Sequence, residues 1–251
     1  VLVVGAVAVA LGPSPVSAVA VQNYQAVPVV DWIAPGTEPL DGIGQWVYVP
    51  PIPAPGPGQL PTTGYVYGPT FLLGIGGPNA TVSQGTVGLS TDAEGPIAGI
   101  QVITSTSNEA PITIRYDWSP GKLYYLVAYH LGDRVWGAWV YDHAASVWTF
   151  IGSQQAYVGS GLLRPESGTA ILGAEGTPIP AFHRGTPPIV AGPCTSFPRV
   201  DAYFFPPIGY RGTTLSEATL DLSRPALGHC PTETTVEDGW VHFRLGSPAA
   251  G

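Results

Sequence analysis

The sequence predicts an all-β protein, a two-sheet antiparallel β-sandwich of jelly-roll type. Three observations predict it. From Tyr116 to Gly152 the chain reads YDWSPGKLYYLVAYHLGDRVWGAWVYDHAASVWTFIG, a three-stranded antiparallel meander holding four of the seven tryptophans (Trp118, Trp136, Trp139, Trp148) and five of the twelve tyrosines. Short β-branched and aromatic runs recur from Gly64 onward, divided by Gly, Pro, Asn and Asp, which is the turn chemistry of hairpins. No segment sustains a helical apolar period. About twelve short strands without helices protect their edges by stacking two sheets. The absence of a fixed repeat argues against a propeller or a β-helix.

Taken in order, residues 1–20 (VLVVGAVAVALGPSPVSAVA) have the apolar core and A-x-A ending of a secretory signal peptide, already lacking its basic start. A buried N-terminal strand is the alternative. The apolar run is shorter than the roughly 20 residues a membrane span needs. Residues 21–63 form an arm with a first strand at Gln45–Val49 and the loop PPIPAPGPGQLP, whose prolines exclude a central strand. Residues 64–247 form the sandwich, with strands expected near 64–75, 81–89, 97–105, 111–117, 123–131, 134–142, 146–152, 155–163, 169–175, 199–206, 214–222 and 239–245. Leu131-Gly132-Asp133-Arg134 reads as a tight hairpin, and Leu126, Val140, Ile151 and Val200 as core. Residues 176–198 are a long irregular loop, and 248–251 a tail.

Of the 251 residues, 45% are hydrophobic and only 10% charged, against about 25% charged in ordinary domains. Gly, Pro, Ser, Thr and aromatic edges must therefore cover the surface. The formal charge is −8 and there is no basic stripe, so nucleic acid and anionic membranes are excluded as partners, and nothing reads as an integral membrane protein. Nothing in the sequence fixes an oligomeric state. The two cysteines, Cys194 and Cys230, suggest a disulfide in a secreted chain. That bond would be worth about 4 kcal/mol on the chain-entropy model. Two free thiols are the alternative.

The pattern YDW-x-x-G-x-x-Y-x-x-x-V, an aromatic strand ending Tyr-Asp and a Trp-x-Phe-Ile strand is carried by Tyr116, Trp118, Gly121, Tyr124, Val127, Tyr141, Asp142, Trp148 and Ile151. It resembles a family of secreted bacterial domains of unknown function with a concanavalin-like jelly roll. The resemblance implies that fold, secretion and an association with carbohydrate. It assigns no activity.

Within 134–142, alternation puts Trp139 and Tyr141 on one face and Trp136 and Asp142 on the other, while Trp148 and Phe150 share one side of the next strand. Exposed Trp and Tyr stack on sugar rings; the same residues also build ordinary cores, the commoner outcome. The carboxylates are scattered singles, apart from Asp92-Ala93-Glu94, which runs into Gly95-Pro96 and reads as a turn. None forms the paired arrangement of a glycosidase. His130, His143, His183, His229 and His242 make no ligand pair; acidic side chains and loop carbonyls would suit calcium, but no D-x-D-x-D-G loop is present, so no metal site is assigned and no cofactor is expected. There is no nucleophile elbow and no phosphate loop.

The functional expectation is a secreted, non-catalytic domain binding extracellular or cell-wall glycan through Trp136, Trp139, Tyr141, Asp142 and Trp148. Only one of Trp136 and Trp139 can be the anchor, because they face opposite ways. The alternatives are a glycan-cleaving enzyme on the same fold and a surface protein without a ligand.

Overall fold

Seventeen strands and no helix make up the described residues of the computed structural model, which are 29–33, 40–54, 56, 66–74, 82–92, 94–104, 111–156, 162–164, 169–172, 199–217, 219–221 and 232–245. The strands are β1 (Val29–Ile33), β2 (Gly42–Tyr48), β3 (Val66–Gly74), β4 (Val82–Asp92), β5 (Gly95–Thr104), β6 (Ile112–Arg115), β7 (Leu123–Gly132), β8 (Val135–Asp142) and β9 (Val147–Gln155). They continue as β10 (Leu162–Arg164), β11 (Thr169–Leu172), β12 (Val200–Phe204), β13 (Ile208–Arg211), β14 (Thr214–Glu217), β15 (Thr219–Asp221), β16 (Thr232–Glu237) and β17 (Trp240–Leu245).

The expected fold class holds: the strands form two antiparallel sheets. The smaller, of eight strands, runs β15-β1-β11-β3-β4-β5-β6, with β10 also on β3. The larger, of nine, runs β16-β17-β12-β2-β7-β8-β9, with β13 paired to β2 and β14 to β13. The β7–β8–β9 meander is the one the sequence announces. Its first turn is built by Asp133 and Arg134, both in the left-handed region with φ of 45° and 71°, the type I′ geometry that matches strand twist.

Period-two alternation sorts each strand into an inner and an outer face. Val47, Leu126, Val140, Val200 and Phe243 point inward from the larger sheet and meet Phe71, Val87, Ile100 and Val102 of the smaller. All four residues expected in the core, Leu126, Val140, Ile151 and Val200, are buried. β9 reaches Ile151 through a bulge: Ala138 pairs Gly152, but Trp139 pairs Phe150. The unpaired Ile151 is thereby turned into the core, while Phe150 stays outside. An added Cβ on Gly152 would lie 2.5 Å from Ile112 of β6, so the strand needs glycine there.

Three strands escape the sequence reading: β1, β13 and β16. The single strand expected over 214–222 is two. β14 ends at Glu217 in the larger sheet, and β15 begins at Thr219 in the smaller. The chain changes sheets between them, which no alternation pattern can signal. Asp92 and Glu94 do lie at the β4–β5 turn, where both hold Arg115. The segments 1–20 and 176–198, Cys194, Cys230, His183 and His229 lie outside the described residues.

Candidate functional site

The inward residues of β2 are Ile43, Gln45 and Val47, so Trp46 and Tyr48 must face outward. The inward Gln45 donates from Nε2 to the Phe205 carbonyl at 2.7 Å. The same alternation sends Tyr125 and Tyr129 outward from β7, Trp139 and Tyr141 from β8, Tyr203 from β12, and Trp240 and His242 from β17. The outer face of the larger sheet is therefore lined with aromatic rings across successive strands.

These rings touch. Trp46 lies 4.7 Å from Tyr125, 6.1 Å from Tyr141 and 5.6 Å from His143, measured between ring centres. Trp148 continues the row, 5.0 Å from Tyr141 and 6.2 Å from Tyr125. Trp139 and Phe150 form a further pair at 5.1 Å. In the other direction Tyr48 meets Tyr203 at 6.0 Å, and Tyr203 stacks on His242 at 4.0 Å with the planes 13° apart. Trp240 closes the row against Phe205 at 4.5 Å.

Gly44 makes room for a hydroxyl pair on this face. The Tyr125 and Tyr210 hydroxyls are 2.6 Å apart and lie over the bare Cα of Gly44. Burial, and then the hydrogen bond to Tyr210, push the Tyr125 hydroxyl well above its ordinary pKa. Burial also raises Tyr210, outweighing the opposing effect of the same hydrogen bond. The two phenols are thus neutral polar groups serving each other.

An ionic cluster occupies the β16–β17–β12 end. Asp201 Oδ1 lies 2.9 Å from His242 Nε2, and Glu237 Oε1 lies 3.4 Å from His242 Nδ1. Arg244 reaches Glu233 at 3.0 Å and Asp201 at 3.5 Å. The hydroxyl of Thr235 donates to Glu237. That bond first, and His242 second, hold the Glu237 carboxyl below the usual range. A cleft of about 540 Å³ opens beside the cluster, lined by Tyr48, Leu123, Tyr203, Glu237, Asp238 and Trp240, with Pro50 at its edge. Among the described residues no group of three or more His, Cys, Asp or Glu is placed to hold a metal ion, and no helix is long and apolar enough to cross a membrane.

The five residues expected to bind ligand do not form one site. Trp139, Tyr141 and Trp148 share the outer face, and Trp148 is 54% exposed. Trp136 faces the other way and is fully buried, packed on Phe71 at 5.9 Å and His130 at 5.2 Å. Asp142 spends its Oδ1 on the Ala145 N–H at 3.0 Å, closing the β8–β9 turn. The sequence reading passed over Trp46, Tyr48, Tyr203, Trp240 and the Asp201–His242–Glu237 cluster. The available signal was alternation in β2, β12 and β17, where aromatic or ionisable residues recur at i and i+2.

No family model matches the sequence, and no curated protein is significantly similar to it. Among solved structures, the chain is similar to scytalido-glutamic peptidase with a transition-state analogue inhibitor, at 12% identity and a TM-score of 0.49, over 88% of this chain and 100% of that one. A second structure of scytalido-glutamic peptidase, with a peptide-based transition-state analogue, matches at 12% identity and a TM-score of 0.43 with the same coverage. An eqolisin-family peptidase in complex with a tripeptide matches at 13% identity and a TM-score of 0.39, again over 88% and 100% of the two chains. At this level of likeness those titles assign no residue and no reaction here. The expectation of a non-catalytic carbohydrate-binding domain is nonetheless corrected. Trp136, one of the two proposed sugar anchors, is core, and Asp142, the proposed hydrogen-bonding partner of the sugar, is committed to the β8–β9 turn.

Proposed function

We propose that the protein binds an extended polypeptide segment across the outer face of its larger sheet. The observation that carries this reading is the row of outward aromatic rings running from Trp240 through Tyr203, Tyr48, Trp46 and Tyr141 to Trp148. From β17 to β9 the row crosses six strands, about 24 Å at the usual strand spacing. A polyproline-type chain rising about 3.1 Å per residue covers that distance in roughly eight residues. Flat aromatic faces suit proline and aliphatic side chains, and a chain already extended loses little entropy on docking. The acidic residues at one end turn away anionic peptides.

The test is fluorescence anisotropy with a labelled proline- and leucine-rich nonapeptide against a Gly/Ser peptide of equal length. The proline-rich peptide is expected to bind, and Trp46→Ala and Trp148→Ala to weaken it about tenfold each, the worth of one aromatic contact. Equal binding of the two peptides, or variants that bind like the parent, would remove the reading.

One observation favours a second reading, hydrolysis of the bound chain: the Glu237 carboxylate lines the cleft and touches His242. New amino termini appearing in the bound peptide, and lost in Glu237→Gln, would establish it. A peptide recovered intact after prolonged incubation would exclude it.

A further inference from the structure

The cleft at the β16–β17 end differs from the rest of the aromatic face, because it combines three rings with two carboxylates. Its volume of about 540 Å³ is that of a small-ligand site. Tyr48, Tyr203 and Trp240 form its aromatic walls, Leu123 adds an aliphatic one, and Glu237 and Asp238 stand at the tip of the hairpin. That tip is fixed: Glu237 pairs Trp240, and Asp238 and Gly239 take φ of 50° and 82°, a type I′ turn. Both contacts made by Glu237 use Oε1. Asp238 has no hydrogen-bond or ion-pair partner among the described residues and is exposed. Arg244 of β17 is already held by Glu233 and Asp201, and Lys122, next to Leu123, is exposed.

The rings and the carboxylates of this cleft both favour positive charge. Ring faces carry the negative lobe of the aromatic quadrupole, and a cation over Trp or Tyr is attracted to it. The two carboxylates add full charges at the rim, and the whole chain carries −8. The apolar walls demand in addition a ligand with hydrocarbon near its charge. We infer that the cleft binds an organic cation on an apolar stem, and that its source is an arginine or lysine side chain of the bound polypeptide. The second clause rests on the peptide reading of the face; the cation site itself stands on the cleft alone.

The experiment titrates the full chain with N-acetyl-arginine amide, tetramethylammonium and N-acetyl-citrulline amide, the last an uncharged isostere, following tryptophan fluorescence and the indole N–H resonance of Trp240. Both cations are expected to bind, and the citrulline compound at least about tenfold more weakly. Trp240→Leu and Asp238→Asn should each weaken the cations. Asn tolerates the left-handed conformation of position 238, so a loss there reports charge rather than misfolding. Leu131→Ser, an exposed position at the opposite end of β7 from Leu123, should leave cation binding as it was. Tighter binding of the arginine compound than of tetramethylammonium assigns the source to polypeptide; the reverse order assigns it to a free quaternary amine and upholds the cation site. Equal affinity for arginine and citrulline compounds, no binding of either cation, or unchanged binding in both Trp240→Leu and Asp238→Asn overturns the inference. Cation binding without binding of the proline-rich peptide removes the peptide reading and keeps the cleft; the converse keeps the peptide reading and removes the cleft.

Discussion

Trp136 and Trp148 sit on adjacent strands and have opposite tasks. Trp136 is enclosed by Phe71 and His130, so Trp136→Ala opens a large cavity and should cost about 3–5 kcal/mol. Trp118 Nε1 donates to the Ser90 carbonyl at 2.6 Å, but the buried Trp136 Nε1 has no hydrogen-bond partner. Trp136→Phe therefore loses volume without losing a bond and should cost clearly less than alanine. Trp148→Ala removes a half-exposed ring and should stay within about 0.5 kcal/mol. Urea unfolding of the three variants checks the order. The phenols give a pH prediction. Tyr125 and Tyr210 both titrate above the ordinary 10.0, so the folded state holds their protons more tightly than the unfolded state. Their contribution to stability is complete below pH 10 and is lost as pH rises beyond it. Burial, and then the charge of Asp142, push Tyr116 up to about 12, adding to the same trend. Urea midpoints should be flat up to about pH 9 and fall above about pH 10; a midpoint that rises there would contradict the assignment. Alternation told which residues of 134–142 share a face, but not which face is inside. Each face carries a tryptophan, and only the opposing sheet breaks the tie.

At the level of the strand, Gly44 of β2 is the telling position. A methyl group there would collide with the Tyr125 hydroxyl and ring and would sit 2.8 Å from the Tyr210 hydroxyl. Gly44→Ala should cost about 1–3 kcal/mol through overpacking. It should also part the hydroxyl pair, so that a spectrophotometric titration finds the Tyr125 phenol, which that bond holds up, ionising at lower pH than in the parent. Unchanged phenol titration would show that the pair tolerates the methyl. The aromatic meander was legible because β7, β8 and β9 alternate and their turns carry Gly and Asp. β16 was not, because TETTVE is polar on both faces. Among the described residues it is an edge strand paired only with β17, and edges need no apolar stripe. The Asp201–His242–Glu237 cluster escaped for a related reason. Its members come from three strands, with Asp201 and His242 41 positions apart, and sequence spacing cannot show ladder neighbours.

For the molecule as a whole, the recurring β-branched and aromatic runs, their turn chemistry and the missing helical period translated correctly into two antiparallel sheets packed over one apolar interior. Function was not readable in the same way, since an outward aromatic and a core aromatic are written with the same letters. β2 shows what this division of labour implies. Trp46 and Val47 are chain neighbours, yet one belongs to the outer aromatic face and the other to the interior. Over descent, substitutions at the outward positions can exchange one ligand for another while the intervening residues go on specifying the same sandwich. Relatives of this chain are then expected to drift fastest at every second residue of β2, β7, β8 and β17, and a lineage can change what it recognises without passing through an unfolded ancestor.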